Sequence, residues 1–350
     1  MKIITLHSCR STGLGGVETL IRSLQKEFFG KGEIVEFYSG VTKTVVGDAR
    51  NVEYIQCQSS SKWKVLDRLF IKLTILKYLL KDAFAKKVVV IFHPMSLLYI
   101  PVFLSFNTKV ILVQTNRFDV YFKGLGALVF RLFSWRLKCF VVYTKRDLES
   151  FVQLYPSIKV DLKVIPRGCK LVTSGITSPM SKKMVTIARI EEEQKNFDGM
   201  IDVMSELGAQ YHLYIYGHGH DTEIDRLQEK IKNIENVSFM GVALNVSAVL
   251  KDYSLFLMTS HYEGFGQTLI EARSQGLPVV AYDTFDALES IVECGFNGFK
   301  VAPYNKVVFC EKIRAILSDS YNVFSANSLL KAKETEVEGV NEKWASIILN

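Results

Sequence analysis

The sequence has little with which to cross-link itself or hold a metal ion. Its six cysteines form no Cys-x-x-Cys pair and stand at no metal-ligand spacing from the six histidines. This pattern predicts reduced, mostly buried thiols in a cytosolic protein, without a resident metal. Short repeats and low-complexity tracts are also absent, so the 350 residues are expected to form ordinary globular domains and are long enough for two.

Long apolar runs without interruption are missing as well. One largely apolar stretch, residues 88–106, contains His93, Pro94 and Pro101, whereas a membrane-spanning helix needs about twenty apolar residues and tolerates such breaks poorly. We therefore expect a buried strand, a turn and a buried helix there. Residues 1–7 are typical of a first β-strand and lack the layout of a signal peptide.

Charge is abundant but unevenly spread. Residues 1–170 hold 27 Lys and Arg against 12 Asp and Glu, a net of +15, whereas residues 171–350 hold 16 against 24, a net of −8. A basic half attracts a polyanion, which could be anionic lipid, nucleic acid or a phosphorylated acceptor. No nucleic-acid recognition motif accompanies the basic residues, so we expect no nucleic-acid partner.

Both halves alternate short β-branched strands with helices, which predicts two α/β domains, each built on a parallel sheet. We expect a first domain at residues 1–168, a linker at 169–183, a second domain at 184–320 and a helical tail at 321–350. Strands are predicted at 3–7, 34–38, 88–92, 110–114, 140–143 and 164–166, and then at 184–188, 212–216, 237–240, 255–259, 279–282 and 298–301.

Residues 260–283 hold the densest set of polar groups suited to chemistry. A strand is predicted just before them, and a helix is predicted from about Gly266 to Gly276. Glu263 lies in the glycine-rich loop before this helix, and Glu271 lies a little over one turn inside it. Polar groups at the carboxyl end of a strand mark the place where open α/β sheets bind ligands.

This loop suits a nucleotide sugar. Gly264 and Gly266 lack a Cβ, so the backbone can approach a ligand closely, and the amides of Gly266, Gln267 and Thr268 would form a helix N-terminus that binds phosphate. Glu271 can accept two hydrogen bonds from a ribose cis-diol. The alternative is a plain helix N-terminus whose acidic residues complement its dipole.

The order Glu-Gly-Phe-Gly, Glu-Ala and Gly-x-Pro-Val-Val-Ala resembles the Glu-x7-Glu motif of retaining glycosyltransferases of family four. The resemblance implies the GT-B fold, in which two Rossmann-like α/β domains with parallel sheets face each other across a cleft and a C-terminal helix crosses back to the first domain. It also implies that Phe265 belongs to the donor-binding loop and that Glu263 acts on the donor sugar. Transfer would retain the anomeric configuration and need no metal or cofactor.

Two further segments resemble donor-binding parts of this family. Gly15 and Gly16 stand in a Gly-Gly-x-Glu loop after the first strand, where a tight turn is the alternative. Arg189 and Lys195 resemble the Arg and Lys that contact the donor diphosphate, where fixed cations stabilise the departing charge; a solvated charged loop is the alternative. With Glu263, we assign Arg189 and Lys195 as catalytic residues.

Two positions depart from the family pattern. Relatives often place a histidine after the strand that corresponds to residues 110–113, but this chain has Gln114-Thr115-Asn116, so no histidine role can be carried over. Asn116 or Thr115 could hydrogen-bond a hydroxyl instead. Arg167 stands where the family's Val-Ile-Pro-Asn-Gly motif has asparagine.

Residues 62–87 and 121–138 are basic and amphipathic. The first segment holds eight Lys and Arg against two Asp, and the second sets Phe, Leu and Trp among basic residues. Such helices suit the headgroup region of an anionic bilayer. Core-packed helices with solvated lysines are the alternative.

Together these observations predict a cytoplasmic glycosyltransferase that is peripheral on the inner face of the cytoplasmic membrane. It would transfer a hexose or derivative from a nucleotide-diphosphate sugar to a lipid-linked or glycan acceptor in surface-polysaccharide or lipopolysaccharide synthesis. A nucleotide-sugar epimerase of GT-B fold and a non-catalytic membrane-docking subunit are the alternatives. The sequence leaves the sugar, base, linkage, acceptor and oligomeric state open.

Overall fold

The computed structural model describes residues 1–13, 16–39, 47, 49, 51–57, 64–81, 85–104, 108–115, 118, 122 and 124–349, of which residues 64–68 are described by their backbone. The chain divides into two compact units. The first unit comprises Met1–Arg167 together with Val340–Asn350, and the second unit comprises Gly168–Gly339. All six cysteines are free, and four of them are buried: Cys57, Cys139, Cys169 and Cys310.

The first unit is built on a parallel sheet. Its described strands are β1 (Lys2–His7), β2 (Glu33–Tyr38), β3 (Val52–Gln56), β4 (Lys87–Ile91), β5 (Thr108–Val113), β6 (Leu137–Val142) and β7 (Leu162–Val164), in the order β3-β2-β1-β4-β5-β6-β7. Its described helices are α1 (Gly16–Glu27), α2 (Lys64–Lys81), α3 (Leu125–Phe133) and α4 (Lys145–Leu154), with short 3₁₀ helices at Pro94–Tyr99, Val102–Leu104 and Ser134–Arg136.

The second unit repeats this plan. Its strands are β8 (Lys183–Ile187), β9 (His212–Tyr216), β10 (Val237–Phe239), β11 (Leu255–Met258), β12 (Val279–Tyr282) and β13 (Gly298–Val301), in the order β10-β9-β8-β11-β12-β13. Its helices are α5 (Glu192–Lys195), α6 (Phe197–Leu207), α7 (Asp221–Ile231), α8 (Val246–Leu250), α9 (Gln267–Ser274), α10 (Leu288–Ile291), α11 (Lys306–Ile316), α12 (Tyr321–Ala332) and the start of α13 (Val337–Leu349), with a 3₁₀ turn at Lys333–Thr335.

The prediction of two α/β units with parallel sheets is confirmed. Strands 212–216, 279–282 and 298–301 fall on the predicted residues. The central strands are apolar on both faces, as parallel strands covered by helices are; β4, for example, is buried throughout. One described strand, β3, is an addition to those predicted.

In each sheet the strand order reverses beside the unit's first strand. The chain proceeds from β1 outward to β3 and then returns to β4 on the other side, and likewise from β8 to β10 and back to β11. Between β1 and β4, and between β8 and β11, the following loops diverge to opposite faces of the sheet. A crevice at such a reversal is where open α/β sheets bind ligands.

The prediction of a buried helix within residues 88–106 is wrong. After β4 the described chain forms two short 3₁₀ helices, Pro94–Tyr99 and Val102–Leu104, because Pro94 and Pro101 interrupt any longer helix. Residues 105 and 106 lie outside the described residues. None of the helices that the structure describes combines the length and hydropathy that a membrane span needs.

Helix α9 is fixed in place by a fully buried arginine and by α12. Arg273 donates from Nη1 to the carbonyl of Ile291 at 3.0 Å and from Nη2 to Oγ1 of Thr335 at 2.8 Å, and burial lowers its pKa to about 10. Ser325 of α12 donates to the carbonyl of Gly276 at 2.6 Å. We expected the tail from residue 321 to pack on the first domain; α12 instead lies in the second unit, and Val340–Asn350 lies in the first.

Candidate active site

A buried ion pair lies at the strand-order reversal of the second unit. Lys195 ends the short helix that follows β8, and Glu263 lies in the loop that follows β11. The Nζ atom of Lys195 donates to Oε1 of Glu263, and the two side chains are only 13% and 11% exposed. The hydroxyl of Ser260 donates to the same carboxylate oxygen at 2.9 Å. The reversal therefore holds a desolvated carboxylate and a desolvated ammonium in contact.

The two loops that carry this pair are tied together by hydrogen bonds. Asn196 is in the left-handed region with a φ of 52°, and its side chain donates to the carbonyl of Thr259 at 3.0 Å. The Thr259 hydroxyl returns a bond to the carbonyl of Asn196 at 2.9 Å. His261 donates its backbone N–H to the carbonyl of Gln194 at 2.8 Å. Such supporting bonds hold Lys195 and Glu263 at a fixed geometry, which a binding or catalytic site requires.

The N-terminus of α9 follows directly and has no side-chain cap. Its N-cap is Gly266, with a φ of +85°, and a Cβ there would lie 3.1 Å from the ring of Phe285. Only glycine adopts this conformation without strain. The amides of Gln267 and Thr268 form the first turn, where helix geometry favours an anion. Phe265 is buried, so its backbone, rather than its ring, is what it offers to a ligand.

Glu271 lies one turn further along α9 and is partly buried. Burial raises the pKa of its carboxyl to about 7, although a hydrogen bond from Gln267 and the charge of Lys170 act in the opposite direction. This carboxylate is therefore short of hydrogen-bond donors for its ionised form. A ligand with paired hydroxyl groups would supply them.

Arg189 is exposed and does not join the buried pair. Its guanidinium lies 3.0 Å from the carboxylate of Glu191. Arg189 and Glu263 nevertheless both act on the phenol of Tyr262. Burial raises the pKa of this phenol most, and the charges of Glu191, Glu193 and Glu263 raise it further, whereas Arg189 lowers it. The predicted cation thus lies in the same charged neighbourhood as Glu263, held by a solvent-exposed contact.

In the first unit, Arg167 packs against the start of α1. A Cβ added to Gly16 would overlap its Nη1 atom, and its Nη2 donates to the hydroxyl of Tyr143 at 2.7 Å. Arg167 is 6% exposed, and among the described residues its Nε has no hydrogen-bond partner. A buried guanidinium beside a helix N-terminus favours an anion, and the departure from the family motif was the sequence signal for it. Gly15 lies outside the described residues.

The residues that replace the family's histidine are only partly described. Gln114 is buried and donates from Nε2 to Oδ1 of Asp147 at 2.8 Å, so its amide is tied to the first turn of α4. The hydroxyl of Thr115 donates to the carbonyl of Phe92 at 3.4 Å. Asn116 lies outside the described residues.

Residues 176–333, most of the second unit, match the protein family Glycosyl transferases group 1. The matched segment covers less than half of the chain. It contains Lys195, Glu263 and the whole of α9.

Curated relatives match part of the chain. The chain is 28% identical over 230 residues to the GtfA subunit of the UDP-N-acetylglucosamine–peptide N-acetylglucosaminyltransferase of Streptococcus gordonii, covering 60% of this chain and 44% of that protein. It is 33% identical over 136 residues to the poly(glycerol-phosphate) alpha-glucosyltransferase of Bacillus subtilis strain 168, covering 38% of this chain and 20% of that one. The matched segment thus spans less than half the length of either relative.

Solved structures match the chain from end to end. The pneumococcal O-GlcNAc transferase GtfA, in complex with UDP and GlcNAc, aligns with a TM-score of 0.78 at 13% identity and covers 100% of this chain and 98% of that one. The lipopolysaccharide outer core galactosyltransferase WaaB aligns with a TM-score of 0.78 at 18% identity and covers 100% and 99%. At such identities the likeness shows the fold, and the fold is GT-B.

Because the pKa of Glu271 is raised, the stability of the folded state should depend on pH. Because its folded-state pKa of about 7 lies above the ordinary value of 4.5, ionisation destabilises the folded state increasingly as the pH rises from about 4.5 to 7. Glu271→Gln removes this penalty. The variant should gain thermal stability relative to the parent between pH 5 and pH 7.5, on the order of 2 kcal/mol, measured by unfolding at constant ionic strength. A stability difference that does not change with pH would contradict the assignment.

Proposed function

We propose that this chain is a glycosyltransferase that transfers a hexose or hexose derivative from a nucleotide-diphosphate sugar. The observation that carries the proposal is the buried Lys195–Glu263 pair beside the uncapped N-terminus of α9, at the strand-order reversal of a segment that matches the family Glycosyl transferases group 1. These groups supply a cation, an anion-binding helix end and a carboxylate, which are what a nucleotide-diphosphate sugar requires.

The diphosphate would bind Lys195 and the first-turn amides of α9. Both are in place before the leaving group gains charge, so they stabilise the transition state without reorganisation. Arg189 would add a second cation, because its exposed pair with Glu191 is weak and readily exchanged. With these groups the diphosphate needs no metal ion and the reaction no cofactor.

Glu263 would act on the donor sugar. A phosphate that binds Lys195 competes with the carboxylate for the same ammonium, so donor binding releases Glu263 toward the sugar hydroxyls or an oxocarbenium-like centre. The Ser260 hydroxyl keeps the carboxylate in position during this exchange. Retention of the anomeric configuration rests on the resemblance to family four, and the coupling constant of the product's anomeric proton tests it.

Glu271 would bind the ribose of the donor. Its carboxylate receives a hydrogen bond from Gln267, and the two hydroxyls of a ribose would supply two more. Binding of the nucleoside should therefore lower the pKa of this group from its raised value. Gly264, Phe265 and Gly266 contribute the backbone of the same loop.

The first unit carries a surface suited to an anionic bilayer. On α2, four apolar side chains are exposed beside three exposed lysines: Leu69, Phe70, Leu73 and Leu80, with Lys72, Lys77 and Lys81. On α3 and the turn after it, Leu125, Leu128, Leu132 and Trp135 are exposed, with Arg131 beside them. The 3₁₀ helix Pro94–Tyr99 packs against both α2 and α3 and joins the two faces. We call this set the apolar-basic surface.

We therefore propose peripheral binding of the apolar-basic surface to the inner face of the cytoplasmic membrane, close to a lipid-linked or glycan acceptor. Exposed Leu, Phe and Trp beside lysines match the headgroup boundary of anionic lipid, and the net charge of residues 1–170 has the same sign as the lysines. Residues 62, 63, 82–84, 121 and 123 of the predicted segments lie outside the described residues. Surface-polysaccharide or lipopolysaccharide synthesis is the setting that fits such an acceptor.

Replacement of Glu263 tests the catalytic assignment. Glu263→Gln keeps the shape of the side chain and removes its charge, so kcat should fall by about 100-fold or more, measured as nucleoside diphosphate released from a panel of donors with membrane extract as the acceptor source. Glu193→Ala removes an exposed carboxylate from the neighbouring helix and should change kcat less than two-fold.

Loss of folding must be separated from loss of catalysis. Glu263→Gln leaves Lys195 buried without its partner, at a cost of about 3–5 kcal/mol, whereas the double variant Glu263→Gln/Lys195→Met removes both charges and should recover stability. A double variant that is stable but inactive supports the proposal. Full activity in Glu263→Gln would indicate a non-catalytic subunit, and interconversion of donors without acceptor would indicate an epimerase.

Charge reversal on α2 tests the membrane proposal. The variant Lys72→Glu/Lys77→Glu/Lys81→Glu should bind vesicles containing anionic lipid at least ten-fold more weakly, because each basic residue near the surface contributes about 1 kcal/mol. The control reverses three exposed lysines of the second unit, Lys182, Lys232 and Lys251, and should retain most of the binding. Unchanged binding of the α2 variant in vesicle flotation would reject the apolar-basic surface as the docking site.

A further inference from the structure

Three different metal-ligating side chains converge in the first unit, beside the Gly-Gly-x-Glu loop. His7 ends β1, Cys9 lies in the loop that follows, and Glu18 lies in the first turn of α1. One ligand atom from each lies within 4.8 Å of the others. The three side chains lie at the strand-order reversal between β1 and β4, where the fold leaves room for a ligand.

The imidazole of His7 is held in a fixed orientation. Its Nδ1 atom lies 3.0 Å from the carbonyl oxygen of Cys9 and 3.1 Å from the Cys9 amide nitrogen, and its ring packs edge-on against Phe92 at 5.6 Å. The Cys9 amide N–H donates to Nδ1, so metal binding through Nε2 requires the other tautomer, in which Nδ1 carries the proton and donates to the Cys9 carbonyl. Metal-bound histidines commonly donate their other ring N–H in this way.

Glu18 is a buried residue whose charge acts on the neighbouring Arg22. It is 9% exposed, and within the described part of the chain it forms no ion pair and accepts no hydrogen bond. The guanidinium of Arg22 is already engaged: Nη1 donates to the carbonyls of Ser11 and Gly13, and Nη2 donates to Thr19 at 3.0 Å. A buried carboxylate left in this way gains most from an added cation.

We propose that His7, Cys9 and Glu18 bind one divalent transition-metal ion of the Zn²⁺ class. Imidazole nitrogen, thiolate sulfur and carboxylate oxygen are the three ligand types that Zn²⁺ takes, at about 2.0–2.3 Å, and three protein ligands leave a fourth position for water. Tetrahedral ligands at these lengths are roughly 3.3–3.8 Å apart, so the side chains need to close by about 1 Å. On binding, the Cys9 thiol gives its proton to solvent, and its sulfur pair forms the bond to the metal.

The ion is assigned no step in sugar transfer. It would neutralise Glu18 and join the loop after β1 to α1, so its effects are on the stability of the first unit and on the reactivity of Cys9. The test of the site does not rely on glycosyltransferase activity. Within the described residues, no other set of three such side chains meets the same distance condition.

Cobalt substitution tests the site directly. The full chain, freed of metal by dialysis against a chelator, is titrated with Co²⁺, whose thiolate complexes absorb in the near ultraviolet and whose tetrahedral complexes absorb strongly in the visible. We expect one Co²⁺ per chain with a thiolate band, displaced by one equivalent of Zn²⁺. Cys9→Ser should abolish the band, and His7→Gln and Glu18→Gln should each weaken binding at least ten-fold.

A matched cysteine in the second unit provides the control. Cys294 is exposed and accepts a hydrogen bond from the Lys300 amide at 3.3 Å; Cys294→Ser should leave the cobalt band unchanged. In the unmodified chain, Zn²⁺ should slow alkylation of Cys9 at least ten-fold, followed by mass spectrometry, without protecting Cys294. This second measurement requires no variant to fold. The absence of a thiolate band, a band that survives Cys9→Ser, or equal alkylation of Cys9 with and without Zn²⁺ would overturn the proposal.

Discussion

The order of parallel strands is the constraint from which the rest of this structure follows. Because each chain segment returns past its own first strand, the loops after β1 and β4, and after β8 and β11, diverge and leave room at the carboxyl edge of the sheet. In the second unit, Lys195, Glu263 and the N-terminus of α9 lie in this space. In the first unit the same position holds His7 and Cys9. Both sets of groups lie at the strand-order reversal of their own sheet.

The buried Lys195–Glu263 pair places two opposite charges in contact inside the second unit. Two charges that are nearly removed from water are costly to separate, whereas the exposed Arg189–Glu191 pair contributes little. A ligand that replaces one member must therefore bring a matching charge, which a diphosphate does for the ammonium and a developing positive sugar does for the carboxylate. The contact thus holds both side chains in position.

Sequence reasoning found most of the second unit because its strands are short, apolar and bounded by glycine or proline. It missed β3, whose Val-Glu-Tyr-Ile-Gln sequence lies at a partly exposed sheet edge and lacks a continuous apolar run. It placed the helix after Gly266 but could not reveal the contact between Lys195 and Glu263, which depends on two loops 68 residues apart. The burial that raises the pKa of Glu271, and the approach of Cys9 to Glu18, likewise arise only from tertiary packing.

The central claim is that the second unit binds a nucleotide diphosphate through Lys195 and the N-terminus of α9. The most direct test is a thermal-shift titration of the chain against a panel of nucleotide sugars, their nucleoside diphosphates and the corresponding free sugars. A ligand present at about 100 times its Kd stabilises the folded state by about 2.7 kcal/mol, which corresponds to a rise in Tm of roughly 5 °C or more. The account predicts such a rise for at least one nucleotide sugar and its diphosphate, and none for the free sugar. If no nucleotide in the panel raises the Tm, the account is contradicted.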